Sequence, residues 1–353
     1  MKKIGHCIRW SLPAAMLMAM PMGCDDGSGS LQRRVVVYVS VDEQVAREVL
    51  DEFEARSGIE VYLVGDSEAS KTTGLVQRLR SEHDAPIADV FWSSEAMQTI
   101  ALAGEGVLAG YDGVEWPSAQ RDEGGRWFAF SPRPRVIVYA PGRLEEHELP
   151  RTWHDAVDGR FADRLVMADP RFGTTGGHLA AMESAWTANG EPERFDAFLE
   201  GLRASGVRVL PGGNAAVVDA VAGGEADIGF TDADDVRAAQ ARGIDVDMLL
   251  PRHDADRPGG GPFLMPNTVA ILNGAPHPDE AAQLLAFLLS DNTARMLANS
   301  VSGNMPLQPA VAGEFPELVV EDPLDVDLQD AAHRSPAVIR RTVDTLATSG
   351  VQP

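Results

Sequence analysis

This chain of 353 residues contains only two cysteines, Cys7 and Cys24. The first falls inside an export-type N-terminal segment, so no internal disulfide framework is available and stability has to come from burial. Basic residues are also scarce: 30 Lys and Arg against 53 Asp and Glu leave a formal net charge of −23. Such a surface repels phosphate backbones and excludes nucleic acid as a partner. After the N-terminal segment no run approaches the ~20 apolar residues of a membrane-spanning helix. Catalytic signatures are missing too. There is no Gly-Xaa-Ser-Xaa-Gly elbow, no P-loop, no histidine pair at metalloprotease spacing and no redox cysteine pair. The eight histidines are scattered, and the residues give no support to an enzyme.

What is present begins with an export signal over residues 1–23. Lys2, Lys3 and Arg9 form its basic region, Leu12 to Met22 its apolar core, and Gly23 its small-residue end. Its removal takes the net charge to 27 − 53, or −26. The stretch Met20-Pro21-Met22-Gly23-Cys24 resembles a bacterial lipobox, with Pro21 where an aliphatic residue is usual. That resemblance implies lipid attachment at Cys24, a flexible polar tether over 24–32 and a location in the periplasm or cell envelope, anchored to the inner-membrane surface. Length and ordinary globular composition allow two α/β lobes. Strand, helix and strand patterns succeed one another from Val35 to Val64, which predicts a parallel pair. Trp127–Phe130 and Val136–Tyr139 read as two separate strands, because a continuous central strand should not hold Pro134.

The segment Gly212 to Asp235 reads as a turn, a short helix, a Gly-Gly break and a strand Ala226–Phe230 that empties into an acidic loop. Loops at carboxyl ends of strands are where α/β proteins bind ligands, which places Thr231, Asp232, Asp234 and Asp235 at a candidate site. Asp-rich turns also occur as plain solvated caps. Asp42 and Glu95 follow other predicted strands, and convergence of these acids would make an oxygen-rich cation site. The loop Asp169–Gly177 offers hydroxyls and N–H groups at a helix start, suited to an anion or to ordinary capping. Trp92 either flanks the cleft or packs at its strand end, and Arg135 reads as the structural partner of an acidic neighbour.

Four stretches, VVVYVSVDEQVAREVLDEFEARSGIEVYLV, DSEASKTTGLVQRLRSEHDAPIADVFWSSE, RPRVIVYAP and GGNAAVVDAVAGGEADIGFTDADD, together resemble the periplasmic ferric-iron-binding proteins of ABC importers, and more broadly the type II extracellular solute-binding proteins. The resemblance runs from Val35 to about Ala347. It implies an α/β, bilobal Venus-flytrap fold with a central cleft. The implied lobes are 33–133 with 262–311, and 134–261 with 312–353, joined by hinge crossings near Arg133 and Gly260. It also implies a monomer that delivers cargo to an ABC permease and its ATPase. For the metal, the resemblance implies Asp42, Glu95, Asp234 and Asp235, the last two standing where the family has two tyrosines. The four tyrosines here, at 38, 62, 111 and 139, are elsewhere. For an accompanying anion it implies Arg133, Thr174, Thr175, Gly176, Gly177, Asn214 and Ala215. The cargo is then a metal ion, Fe(III) in the first place, with its anion. A polyamine or a phosphonate is the alternative, and a hydrolase using Asp234 and Asp235 a distant one.

Overall fold

The structure, a computed structural model, describes residues 33–66 and 72–347; the export signal, Cys24 and the tether lie outside them. The first half of the chain runs β1 (Arg34–Val39), α1 (Glu43–Ser57), β2 (Glu60–Gly65), α2 (Thr73–Ser81), β3 (Val90–Ser93), α3 (Ala96–Gly104) and β4 (Leu108–Ala109). A long strand follows, β5 (Phe128–Tyr139). Then come β6 (Leu165–Ala168), α4 (Thr174–Ala188), α5 (Glu193–Ala204), β7 (Arg208–Leu210), α6 (Gly213–Ala222), β8 (Ile228–Asp232), α7 (Ala233–Ala241) and β9 (Asp247–Leu249). The chain closes with β10 (Leu264–Leu272), α8 (Pro278–Leu288), α9 (Asp291–Asn299), α10 (Pro309–Ala312) and α11 (Leu328–Ala347).

The strands form one path, β2-β1-β3-β10-β5-β8-β6-β7, with β4 on β10 and β9 on β5. The β1–β2 pair is parallel, as the strand-helix-strand pattern predicts. The two predicted strands flanking Ser131–Arg135 are instead one twelve-residue strand, β5. Its first part pairs with β10 and its second with β8 and β9, so it joins the two halves of the sheet. Pro134 is tolerated for a geometric reason. Arg135 N donates to Phe263 O on the β10 side, so the position of Pro134's missing N–H faces the other edge. On that edge β8 begins its pairing only at Arg135 opposite Asp232. A register shift between Met265 and Asn267, and a left-handed Ser131 at φ 39°, absorb the irregularity.

Each face of each half is apolar and covered by helices. Val45, Val49, Leu50 and Phe53 of α1 pack on β1 and β3 with Leu284, Leu285 and Leu288 of α8. In the second half Phe195, Phe198 and Trp186 fill one face with Met167 and Phe230. Val217, Val218 and Val221 of α6 cover the other. Trp92 is fully buried beside Phe130, so it packs at its strand end and does not flank the cleft. The C-terminal helix belongs to both halves. Ala331 and Ala332 of α11 join the cluster containing Met97 and Ile100 of α3, whereas Val338 and Leu346 join the cluster of the second half. Pro336 lies between these two attachments, inside the helix.

Candidate functional site

β5 alternates its side chains across the sheet, so Arg133 and Arg135, two apart, emerge on one face. Arg135 stands directly opposite Asp232 in the β5–β8 ladder, the position at which cross-strand partners meet. Arg135 Nη1 donates to Asp232 Oδ1 at 2.8 Å, and Arg133 Nη2 to Asp232 Oδ2 at 3.2 Å. Thr174, the first residue of α4, donates its hydroxyl to Asp232 Oδ2 at 2.8 Å. Asn214, at the start of α6, gives its Nδ2 to the same oxygen at 3.0 Å. Most of this is buried: Arg133, Arg135, Thr174 and Asp232 are 3%, 0%, 3% and 1% exposed, and Asn214 is half-buried. Burial by itself would raise the Asp232 pKa, yet the two guanidinium groups hold it below the usual carboxylate value.

The predicted acidic loop after β8 does not exist. The strand runs to Asp232 and turns straight into α7, which puts Asp234 and Asp235 in the helix's first turn. Acids are favoured there by the N–H groups at the helix start. Asp234 Oδ2 lies 3.0 Å from Arg133 Nε as an ion pair. One oxygen from each of Asp232, Asp234 and Asp235 can be chosen within 4.8 Å of the others. These residues line a cavity of about 280 Å³ with Asp42, Arg133, Thr174, Asn214 and Ala215 from the predicted set. Its lining also includes Ser40, Ser94, Arg242 and Ser302, which the sequence reading did not single out.

Asp42 is exposed on the opposite half and caps α1, its Oδ1 accepting from Gln44 N and Val45 N at 3.0 and 3.3 Å. Glu95, expected at the metal, is not in the cavity wall. It caps α3 from a buried position, Oε1 accepting from Met97 N at 3.0 Å and Oε2 from Gln98 N at 2.8 Å. Desolvation raises its pKa to about 7, against partial relief from the two N–H groups. Thr175, Gly176 and Gly177, expected to face an anion, are also outside the lining. The glycines serve close approach: a Cβ on Gly177 would run into Glu95 Oε1, and one on Gly176 into Pro170 O. The Thr175 hydroxyl is buried without a hydrogen-bond partner among the described residues. Arg135 meets the expectation of an acidic partner, but its place at the centre of the site was not foreseen.

Among known proteins the chain is 25% identical over 303 residues to the "Iron uptake protein A1" of Synechocystis sp., covering 80% of this chain and 81% of that one. It is 26% identical over 320 residues to the "Major ferric iron-binding protein" of Neisseria meningitidis, covering 87% and 88%. Iron-bound HitA from Pseudomonas aeruginosa superposes with a TM-score of 0.71 at 23% identity, over 88% of this chain and 99% of that one. AfuA from Actinobacillus pleuropneumoniae, with fructose-6-phosphate bound, gives 0.70 at 18% identity, over 90% and 99%. These likenesses establish the bilobal α/β architecture. Residues 35–300 match the family of bacterial extracellular solute-binding proteins. With β5 and β10 joining two α/β halves around a polar cavity, and with that match, the chain belongs to the bacterial extracellular solute-binding proteins, which capture cargo and do not transform it.

Proposed function

We propose that the protein is the capturing component of an ABC importer and that its cargo is a hard, oxygen-seeking metal cation, ferric iron first. The observation that carries this reading is the approach of Asp234 and Asp235 to Asp232 on a cavity wall that faces Asp42. Carboxylate oxygens are ligands for hard cations, and the acids would lower one another's charge repulsion by sharing one. The iron-related names of the curated relatives support the same cargo. Asp234, Asp235 and Asp42 are the proposed ligands; Asp232 is committed to Arg133 and Arg135. Cargo touching both halves would favour a closed form, which a permease can distinguish from an open one. The proposed lobes are 33–133 with 262–311 and 134–261 with 312–353, hinged at the β5 and β10 crossings, with α11 shared.

The test is thermal unfolding of the metal-stripped protein against ferric citrate, divalent metals, polyamines and phosphonates. At ~100 times its dissociation constant a specific cargo adds roughly 2.7 kcal/mol to the folded state. The expected result is a rise with ferric iron that is lost in Asp234→Asn/Asp235→Ala. A cavity of about 280 Å³ carrying both charge signs also suits a small organic solute bearing an amine or a phosphonate. A rise with such a solute and none with metals would establish that second reading instead.

We further propose an envelope location with attachment through lipid at Cys24. One acyl chain binds a membrane only marginally, so the anchor would need the multiple chains of a bacterial lipoprotein. Cys24→Ser should move the expressed protein from the detergent phase to the aqueous phase in phase partitioning. If the wild type already partitions into water, the anchor is absent.

A further inference from the structure

Two guanidinium groups, a hydroxyl at the start of α4 and an amide at the start of α6 converge on one buried point. That is the donor set of an oxyanion receptor. Its occupant is the chain's own Asp232 carboxylate, which accepts from Arg135, Arg133, Thr174 and Asn214 at 2.8, 3.2, 2.8 and 3.0 Å. Oδ2 alone takes three of these, so its lone pairs are committed and it has no capacity left for another strong ligand. We infer that Asp232 is a built-in anion that fills an oxyanion receptor, so that the cleft needs no external anion, and that removing Asp232 opens a site for a free tetrahedral oxyanion of the phosphate class.

Two observations extend the argument beyond a buried ion pair. Arg133 Nη1 and Arg135 Nε and Nη2 have no hydrogen-bond partner among the described residues although both side chains are buried. Asp232 therefore engages one nitrogen of each guanidinium directly, Arg135 Nη1 and Arg133 Nη2, and leaves both cations only partly satisfied. Asp232 is also fixed by strand pairing opposite Arg135, so an external anion would have to displace a group that cannot diffuse away. The donors that the sequence assigned to an accompanying anion, Arg133, Thr174 and Asn214, are thus already in use.

The consequence for cation capture rests on the proposed metal cargo; the receptor itself rests on geometry alone. The experiment is a titration of thermal midpoint with inorganic phosphate, against chloride at equal ionic strength, in wild type and Asp232→Ala. Wild type should not respond beyond chloride. Asp232→Ala should start lower and recover by roughly 5 °C as phosphate saturates the vacated receptor. If Asp232→Ala does not fold, Asp232→Ser, which also removes the carboxylate and leaves the receptor open, is titrated in the same way. A phosphate-specific rise in wild type, or none in the variant that folds, overturns the inference. In a second arm, the shift produced by a metal should be indifferent to added phosphate in wild type and depend on it in the variant. Dependence in wild type counts against the built-in anion. Absence of any metal shift counts against the cargo reading only, and the phosphate arm still decides.

Discussion

Arg135→Met should lower the unfolding free energy by roughly 3–5 kcal/mol, a large share of the stability of an ordinary domain. The replacement keeps much of the side chain's volume, so the loss measures charge and not a cavity. Arg135 is fully buried and its partner Asp232 nearly so, and the pair is made at 2.8 Å. Without Arg135, Asp232 retains Arg133 at 3.2 Å together with Thr174 and Asn214, while Arg133 is already shared with Asp234. A buried carboxylate left under-compensated is the expensive outcome, because water cannot replace the missing donor. The double variant Arg135→Met/Asp232→Asn should recover part of the loss, since it removes both charges. Chemical denaturation of Arg135→Met, Asp232→Asn and the double variant, with wild type, completes the cycle. A loss under 1 kcal/mol for Arg135→Met would mean that the pair contributes no more than a surface ion pair, and the account of the site's core would fail.

Glu95→Gln should change the sign of its effect with pH. In the folded protein burial raises the Glu95 pKa from 4.5 to about 7, so the fold favours the protonated acid. Stability from that preference is fully present below about pH 4.5 and is lost as pH rises through about 7. A shift of this size corresponds to roughly 3 kcal/mol once the group is ionised. Glutamine cannot ionise, but its NH2 stands where an oxygen accepts from Met97 N or Gln98 N and leaves one of these donors unpaired, a loss of about 1 kcal/mol. The variant should therefore be more stable than wild type by about 2 kcal/mol at pH 8 and less stable by about 1 kcal/mol at pH 4. Unfolding free energies at the two pH values decide it. A difference that keeps one sign and size at both would show that Glu95 does not titrate in the folded state.

Much of the fold could be read from local patterns. The helical spacing of Val45, Val49, Leu50 and Phe53 and the β-branched run of β1 both describe an element packed on one face, and such elements announce themselves. β5 did not, because its two prolines argue against a strand until one knows that the N–H missing at Pro134 would face the edge on which β8 has not yet begun to pair. The site was half legible. Asp42, Asp234, Asp235, Arg133, Thr174 and Asn214 do share one cavity, as strand ends in such a sheet should. Glu95 misled because a carboxylate after a strand serves a helix start as readily as a ligand, and the two N–H groups that take it are contributed by ordinary residues, Met97 and Gln98. Arg135 was undervalued for the opposite reason. Its alternation with Arg133 was visible, but its register opposite Asp232 depends on a pairing between segments almost a hundred residues apart.

The placement of α11 has a mechanical consequence. The two halves are joined by strands β5 and β10 on one side, and on another by a helix seated on both, through Ala331 and Ala332 at one end and Val338 and Leu346 at the other. A clamshell with only strand hinges opens freely. This one carries a splint, so opening must bend the splint, slide it or lift one end. Pro336 sits between the two seats, and with no N–H to give it leaves the carbonyl one turn earlier without its helical donor. The splint is thus weakest at its midpoint, and flexing there would let each end stay in its own seat while the jaws part.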